Sequence, residues 1–371
     1  MLKEVMSEQP NTPLQEPHRY TVLGSGVIGL LTANVLAEQG HNVTVISKEG
    51  QPNIETSNTS ANAIGQFLPW VPEEHAESLL GGVDLAEVTE FSRQFYADLA
   101  RDPHTTGVME VNNVELIQSS KPWPSGLPEA MDVKEHLLDK AVPFVDPNGE
   151  EIDFDEAVDF ETFSINARKT VAHLAAQAEK LGVKFVAAHL KKEDLNELDG
   201  IIINATGFGA REIDTTQQVN HFKGHTFLLR PRPGQVVPTE ALSVDDLILM
   251  PREDGTIICG ALYIEDPLRP VPEATEAEEL FDRLSKLCAA ASEAGLVDGL
   301  EADLIEKSDI IVHNAGYRVE VEGSGIRVVP DEENQRLLHA YGFGGIGWSV
   351  GPHFAKRIAE QANALHAKIK E

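Results

Sequence analysis

The stretch "YTVLGSGVIGLLTANVLAEQGHNVTVISKE", Tyr20 to Glu49, constrains this chain more than any other. An apolar run enters a turn with glycines at 24, 26 and 29. A helix-periodic segment runs from Val27 to Gln39, and "NVTVIS" then resumes an apolar alternation. The spacing predicts strand, helix and strand, with Gly40 placed to end the helix. Two strands joined through a helix lie parallel, so the chain opens as a βαβ unit. In such a unit Gly24 allows the tight turn and Gly26 lets the backbone approach a pyrophosphate. Gly29 lets helix and strand pack closely. The helix N-terminus itself favours negative charge. A glycine pattern alone is weak evidence. Set between two strands, it predicts a dinucleotide site at Gly24, Ser25, Gly26, Val27, Ile28 and Gly29.

The usual companion of such a site is an acid at the end of the second strand, on the ribose hydroxyls. Here Ser47 stands at that place, Lys48 follows, and Glu49 comes two residues late. Two readings stay open: Glu49 reaches the ribose, or the role is vacant.

Charge narrows the partners. Sixty Asp and Glu against 30 Lys and Arg leave a net charge of −30 over 371 residues. A surface that negative repels phosphate backbones and anionic lipid, so neither nucleic acid nor membrane is an expected partner. No apolar run approaches the length of about 18 residues that reads as a transmembrane helix. Cys259 and Cys288 lack CxxC spacing, so no metal site is expected, and they fit a reduced, cytoplasmic setting. Residues 1–17 are polar and Pro-containing without an apolar core, which predicts a disordered tail instead of a signal peptide.

Beyond the opening unit, residues 50–70 read as a loop and 76–102 as a helix. Leu79, Leu80, Val83, Leu85, Val88, Phe91 and Phe95 form the apolar stripe of that helix. Short alternating segments fill about 105–160, ending in the acidic "DPNGEEIDFDEAVDFE", read as a solvated face. Helix returns with "NARKTVAHLAAQAEKLG", then strands "VKFVAAHL" and "GIIINATG". Further strands occupy 221–265, a helix 274–295, and a strand, a glycine cluster and a long helix close the chain. No internal repeat is present. The order predicts an α/β fold: a Rossmann-like nucleotide-binding domain with an inserted β-rich substrate domain. The first is assembled from 18–100, 160–215 and 330–371, and the second from 101–159 and 216–329.

Three further segments point from a nicotinamide towards a flavin. "NTSANAIGQFLPW" offers the hydroxyls of Thr59 and Ser60, then Gly65 and Gln66, to a second phosphate or a ring edge; a plain loop is the competing reading. "INATGFGA" ends an apolar strand at Thr206-Gly207, suited to lie against an extended cofactor. "YGFGGIGWSVGP" places Gly344, Gly345, Ile346, Gly347 and Trp348 at the start of a helix, a second N-terminus stripped of side chains. Such an end stabilises the negative charge a flavin gathers on reduction. Trp348 and Tyr341 either line that ring or simply pack. One glycine turn for a pyrophosphate and another for a ring is what a buried FAD needs.

These motifs, in this order, resemble the D-amino-acid oxidase family of FAD-dependent amine oxidoreductases, from Tyr20 to about Ile358. "NARKTVAHLAAQAEKLGVKF" is similar to the family's adenine-side segment, which implies a backbone contact at Val183. "AGYRVEVEGSGIRVVPDE" followed by "LLHAYGFGGIGWSVG" resembles its C-terminal signature. The resemblance implies a D-amino acid or related amine as substrate, its α-hydrogen leaving as hydride to the flavin. The imine hydrolyses to a keto acid and ammonia, and molecular oxygen is reduced to hydrogen peroxide. A homodimer is compatible with it. Arg327 sits where the resemblance implies the substrate-carboxylate arginine; a surface arginine beside Asp331 and Glu332 is the alternative. Arg318 matches a nearby family arginine, although Val319 follows it in place of a proline, and a structural ion pair stays open. His225 falls on the strand that faces the flavin in the family, as a pocket residue or a structural one.

One departure bears on substrate. The positions of the family's two substrate-contacting tyrosines fall at Val244 and Ile248, so a phenolic lid is absent. That keeps alive a tailoring enzyme acting on a secondary amine or modified amino acid. A non-catalytic flavin-binding protein is the third reading.

Overall fold

The computed structural model describes residues 17–69, 71, 80–119, 131, 133–145, 150–245, 247–260, 264–265, 271–321 and 325–370. The expected tail, except Glu16's neighbour Pro17, and the expected stripe residue Leu79 lie outside them. Five helices exceed ten residues among the described residues: α1 (Val27–Glu38), α2 (Leu85–Ala100), α3 (Ala167–Lys180), α4 (Ala274–Ala294) and α5 (Gly347–Lys370). None of them is long and apolar enough to cross a membrane.

The first sheet runs β14 (Arg327–Pro330), β15 (Leu337–Tyr341), β7 (Ile201–Asn204), β1 (Arg19–Leu23), β2 (Asn42–Ser47) and β6 (Lys184–Ala187). All are parallel except β14, which returns antiparallel to β15. β1 and β7 are buried almost throughout because helices cover both faces of a parallel sheet. α1 is buried from Val27 to Ala37. It is apolar on every side because it lies between the sheet, α3 and α5, and so reads as core. α3 instead buries Ala167, Thr170, Val171, Leu174, Ala175 and Ala178, spaced by three and four, and turns its charges outward.

α2 starts later than its periodicity suggested. Asp84 caps it, its carboxylate accepting the Ala86 N–H at 2.7 Å. Leu80, Val88 and Phe95 are buried, and Val83 and Leu85 pack partly against the same core. Phe91 stays at the rim, against His353 and under Lys356.

The second sheet has nine strands. In spatial order they are β12 (Ile264–Glu265), β8 (Val219–Leu229), β11 (Ile257–Gly260), β10 (Leu247–Pro251), β9 (Ala241–Val244), β3 (Val108–Ile117), β5 (Glu151–Ile165) and β4 (Lys134–Val145). β13 (Ile310–Val321) pairs with β8 along its whole length. α4 closes one face of this sheet over a core that includes Phe227, Leu229, Leu249, Leu284 and Leu287. Side chains alternate between faces, so the opposite face looks back towards the first sheet. The strands run through the boundaries expected from sequence. β5 stays in the second sheet as far as Ile165, and β14 joins the first at Arg327.

Candidate active site

In the parallel sheet, β2 lies on one side of β1 and β7 on the other. Their carboxyl ends therefore flank a crevice where ligands of such sheets bind. Gly24, with φ 102°, turns the chain there and donates its N–H to Ile46 O at 2.8 Å. A Cβ on Gly24 would stand 2.4 Å from Ala205 O, and one on Gly29 would stand 2.1 Å from Gly24 O. Both glycines are required by the protein's own close packing of strand, turn and helix. Gly26 differs: its Cβ would meet the Ser60 hydroxyl at 2.9 Å. The second glycine thus admits the 57–62 loop to the helix start, where Ser60 Oγ accepts the Val27 N–H at 3.0 Å.

Ser25 donates to Ser47 Oγ at 2.9 Å, and Ser47 donates on to Gly50 O, which closes the end of β2 onto the turn. Glu49 is exposed just beyond. On the β7 side, the Thr206 hydroxyl donates to Asn204 Oδ1 at 2.6 Å, and a Cβ on Gly207 would meet nothing within 4 Å. The result is a glycine-lined cradle beside helix amides that no side chain of the helix caps. It fits a diphosphate.

The second glycine cluster joins the two sheets. Gly344 donates its N–H to Val319 O at 2.9 Å, and a Cβ on Gly345 would lie 3.5 Å from Arg318 Cδ. Ile346 is half-buried beside it, packed on the first core. α5 starts at Gly347, and its first turn grips the loop predicted as the flavin edge. Trp348 Nε1 donates to Ser60 O at 3.1 Å, and Ser349 Oγ accepts the Leu68 N–H at 2.9 Å. From the other side, Asn62 Nδ2 donates to Ala315 O at 3.1 Å and Gln66 Nε2 to Asn113 Oδ1 at 3.2 Å. Gly65 donates nothing to a side chain; its carbonyl accepts the Ile165 N–H, and a Cβ there would strike Ile165 O at 2.0 Å. Thr59 lies over Gly316. One loop is therefore clamped between two helix N-termini and the second sheet.

Strand alternation sorts the three candidate polar residues. On the β8–β13 ribbon, Arg318 opposes Phe222, Gly316 opposes Gly224, and Asn314 opposes Thr226. This face looks to the loop and to Gly345. The Arg318 guanidinium lies over Gly224, where a Cβ would come within 2.7 Å of Nη1. His225 is on the opposite face, under α4, fully buried, with Nδ1 2.9 Å from His313 Nε2 and Nε2 2.7 Å from Glu276 Oε2. Burial lowers its pKa, with Glu276 opposing. Arg327 lies on the edge strand of the first sheet. Its Nε meets Asp214 Oδ2 at 3.2 Å, and the Tyr341 hydroxyl donates to the same oxygen at 2.7 Å. Hydrogen bonds from Thr216 and Tyr341, aided by nearby His339, outweigh burial and hold Asp214 down at about 2.

Val183 stands apart from the rest. It lies at the amino end of β6, its N–H taken by Ala178 O, whereas the carboxyl end facing the crevice is Ala187. Of the two lost-lid positions, Ile248 faces the site beside Ile64 and Met250, and Val244 faces the α4 core.

Comparison with known proteins decides the family. The FAD dependent oxidoreductase family (DAO) matches residues 19–361. The chain belongs to that family. A D-aspartate oxidase of Talaromyces thermophilus is 26% identical over 379 residues, covering 93% of this chain and 95% of that protein. A D-amino-acid oxidase of Streptomyces coelicolor is 26% identical over 352 residues, covering 92% and 96%. Among solved structures, an L-proline dehydrogenase from P. horikoshii superposes with a TM-score of 0.69 at 16% identity, covering 94% of each chain. The protein is an FAD-dependent oxidoreductase.

The site of this FAD-dependent oxidoreductase also gathers residues without a sequence motif. Gly224, Gly316 and Asn314 are placed by strand register alone. Arg168, second residue of α3, donates to both Asn62 Oδ1 and Asn314 Oδ1 at 2.9 Å, tying α3 to the loop. No spacing in the sequence announces these contacts.

Proposed function

We propose that this enzyme oxidises the C–N bond of an amino acid or closely related amine whose carboxylate is bound by Arg318. The observation that carries the reading is the position of that guanidinium, over Gly224 and along Gly345, at the seam between the second sheet and the glycine turn before α5. FAD, when bound, supplies the two-electron acceptor for the hydride on the amine-bearing carbon, and dioxygen then takes the electrons as hydrogen peroxide. The chain's own part is orientation. A guanidinium fork fixes a carboxylate bidentately and so fixes the substrate's roll about its α-carbon. Gly224 lets the Arg318 guanidinium lie close on the ribbon, and Gly316 lets the loop at Thr59 do the same. The start of α5 presents amides to the charge that develops opposite it. No side-chain base is required if the amine arrives neutral, since the imine then forms by loss of hydride and one proton to water.

Arg327 serves the fold in this reading, with its guanidinium committed to Asp214. D-amino acids are the first substrates to try, given the two oxidases; the L-proline dehydrogenase makes secondary amines the second. The test is anaerobic mixing of the holoenzyme with D- and L-amino acids and secondary amines while the flavin absorbance is followed. Bleaching by D-amino acids supports the reading as stated, and bleaching by cyclic or N-substituted amines alone moves it to the tailoring class. Bleaching by none of them overturns it. Arg318→Met should raise KM for carboxylate substrates at least a hundredfold, whereas Arg327→Met should lower the Tm and leave KM within a few fold.

A further inference from the structure

One acid on the site face of the second sheet has no part in holding the cofactor or the carboxylate. Glu115 lies on β3, beside Ser243 of β9 and Val158 of β5. A directed chain of hydrogen bonds leads to it from the flavin-edge loop. Gln66 Nε2 donates to Asn113 Oδ1 at 3.2 Å, Asn113 Nδ2 donates to Ser243 Oγ at 2.8 Å, and Ser243 donates its one proton to Glu115 Oε2. Asn113 and Ser243 are buried, whereas Glu115 keeps part of its surface open. Burial, with Asp245 adding to it and the Ser243 and Asn113 hydrogen bonds opposing, pushes the carboxyl up to about 7.

We propose that Glu115 determines specificity by receiving a cationic group, an ammonium or guanidinium, at the far end of the substrate's side chain. The proposal rests on the reading that Arg318 holds the carboxylate. Arg318 and Glu115 stand five ladder steps apart across the sheet, about 24 Å on a flat surface, with a further offset of four residues along the strands; the coil of the sheet shortens the path. Only an extended substrate meets both. Next to Ser243 on this face, Ile248 of β10 and Ile64 of the loop offer partly exposed apolar surface suited to the methylenes of a basic side chain. An acidic side chain would bring a second carboxylate to Glu115, so the chain's preference separates from that of the D-aspartate oxidase it resembles. The net charge of −30 draws cations towards the protein and anions away.

The experiment uses the holoenzyme with lysine, norleucine and glutamate, each in the D and L forms. Wild type should favour lysine over norleucine at least tenfold in kcat/KM, with glutamate slowest. Glu115→Gln should raise KM for lysine tenfold or more and leave norleucine within twofold. Ser243→Ala, which frees the carboxylate from its hydrogen bond, should weaken the lysine preference several-fold and is the second variant should the first not fold. Equal effects on lysine and norleucine, or no preference in wild type, overturn the proposal. Should none of the three reduce the flavin, lysine binding is read from the shift it causes in the flavin spectrum. Loss of that shift in Glu115→Gln sustains the Glu115 site while the function fails, and an unchanged shift overturns the site.

Discussion

The two faces of the β8–β13 ribbon do opposite things with the same kinds of residue. One face carries Arg318, Gly224, Gly316 and Asn314 and looks onto the loop that holds Thr59 and Asn62. The other carries Lys223, His225 and His313 and meets Glu276 of α4: Lys223 Nζ lies 2.8 Å from Glu276 Oε1, with Glu273 at 3.7 Å. On the first face, Arg318 is the group proposed to hold the substrate's carboxylate. Charge on the second is used up within the fold, since Lys223 is 1% exposed and its ammonium could not be buried there without carboxylates. Neighbouring residues in one strand thus face the loop or the α4 side according to parity.

The strongest way to test that division is to break the closed face. Glu276→Gln takes the nearer carboxylate from the Lys223 ammonium and leaves Glu273 at 3.7 Å. Removing one partner of a buried pair costs about 3–5 kcal/mol, and the remaining acid places this variant near the lower figure. Chemical denaturation should show a loss of about 3 kcal/mol, with KM unchanged in whatever enzyme remains folded. A raised KM at normal stability would show that this face does reach the substrate.

A smaller effect is expected from the open face. Gly224→Ala puts a methyl 2.7 Å from Arg318 Nη1, where the obstacle is the end of a flexible side chain that can swing aside. The guanidinium should move and the sheet should hold. That predicts a kcat/KM lower by about 10–100-fold, equivalent to about 1.4–2.7 kcal/mol, with Tm unchanged. Loss of stability with normal kinetics would place the two faces the other way round.

The parity of this ribbon explains how far the sequence could be read. The opening βαβ unit was legible because glycine spacing, apolar periodicity and a helix stop agree within one short stretch. The second glycine cluster was legible for the same reason. His225, Arg327 and Val183 show the limit. Each lies near a motif, but its role depends on which way a strand faces or which end of a strand the crevice meets. His225 falls on the α4 side by alternation, and Arg327 is held by Asp214, a residue 113 positions away. Val183 is at the end of β6 remote from the crevice. Register across nine strands is set by distant pairings, and no local spacing encodes it.

The smallest effect separates the faces by pH. His313, on the closed face, is lowered to about 4, chiefly by burial and then by His225, with Glu276 opposing. Its ordinary value is 6.5, so between 6.5 and 4 the unfolded chain binds more protons and stability falls as pH falls. Glu115, on the open side of the sheet, is raised from 4.5 to about 7. Between those values the folded chain binds more protons, so stability falls as pH rises. The two trends oppose each other over 4.5–6.5. Both groups are partly open to water, which trims each contribution to about 1–2 kcal/mol. Urea midpoints between pH 4.5 and 6.5 should therefore change little in wild type on account of this pair. In Glu115→Gln the opposing trend is gone, and the midpoint should climb with pH by the amount His313 contributes. A parallel pH profile in the two proteins would mean that Glu115 titrates like an ordinary surface acid, which would leave the open face no different from solvent.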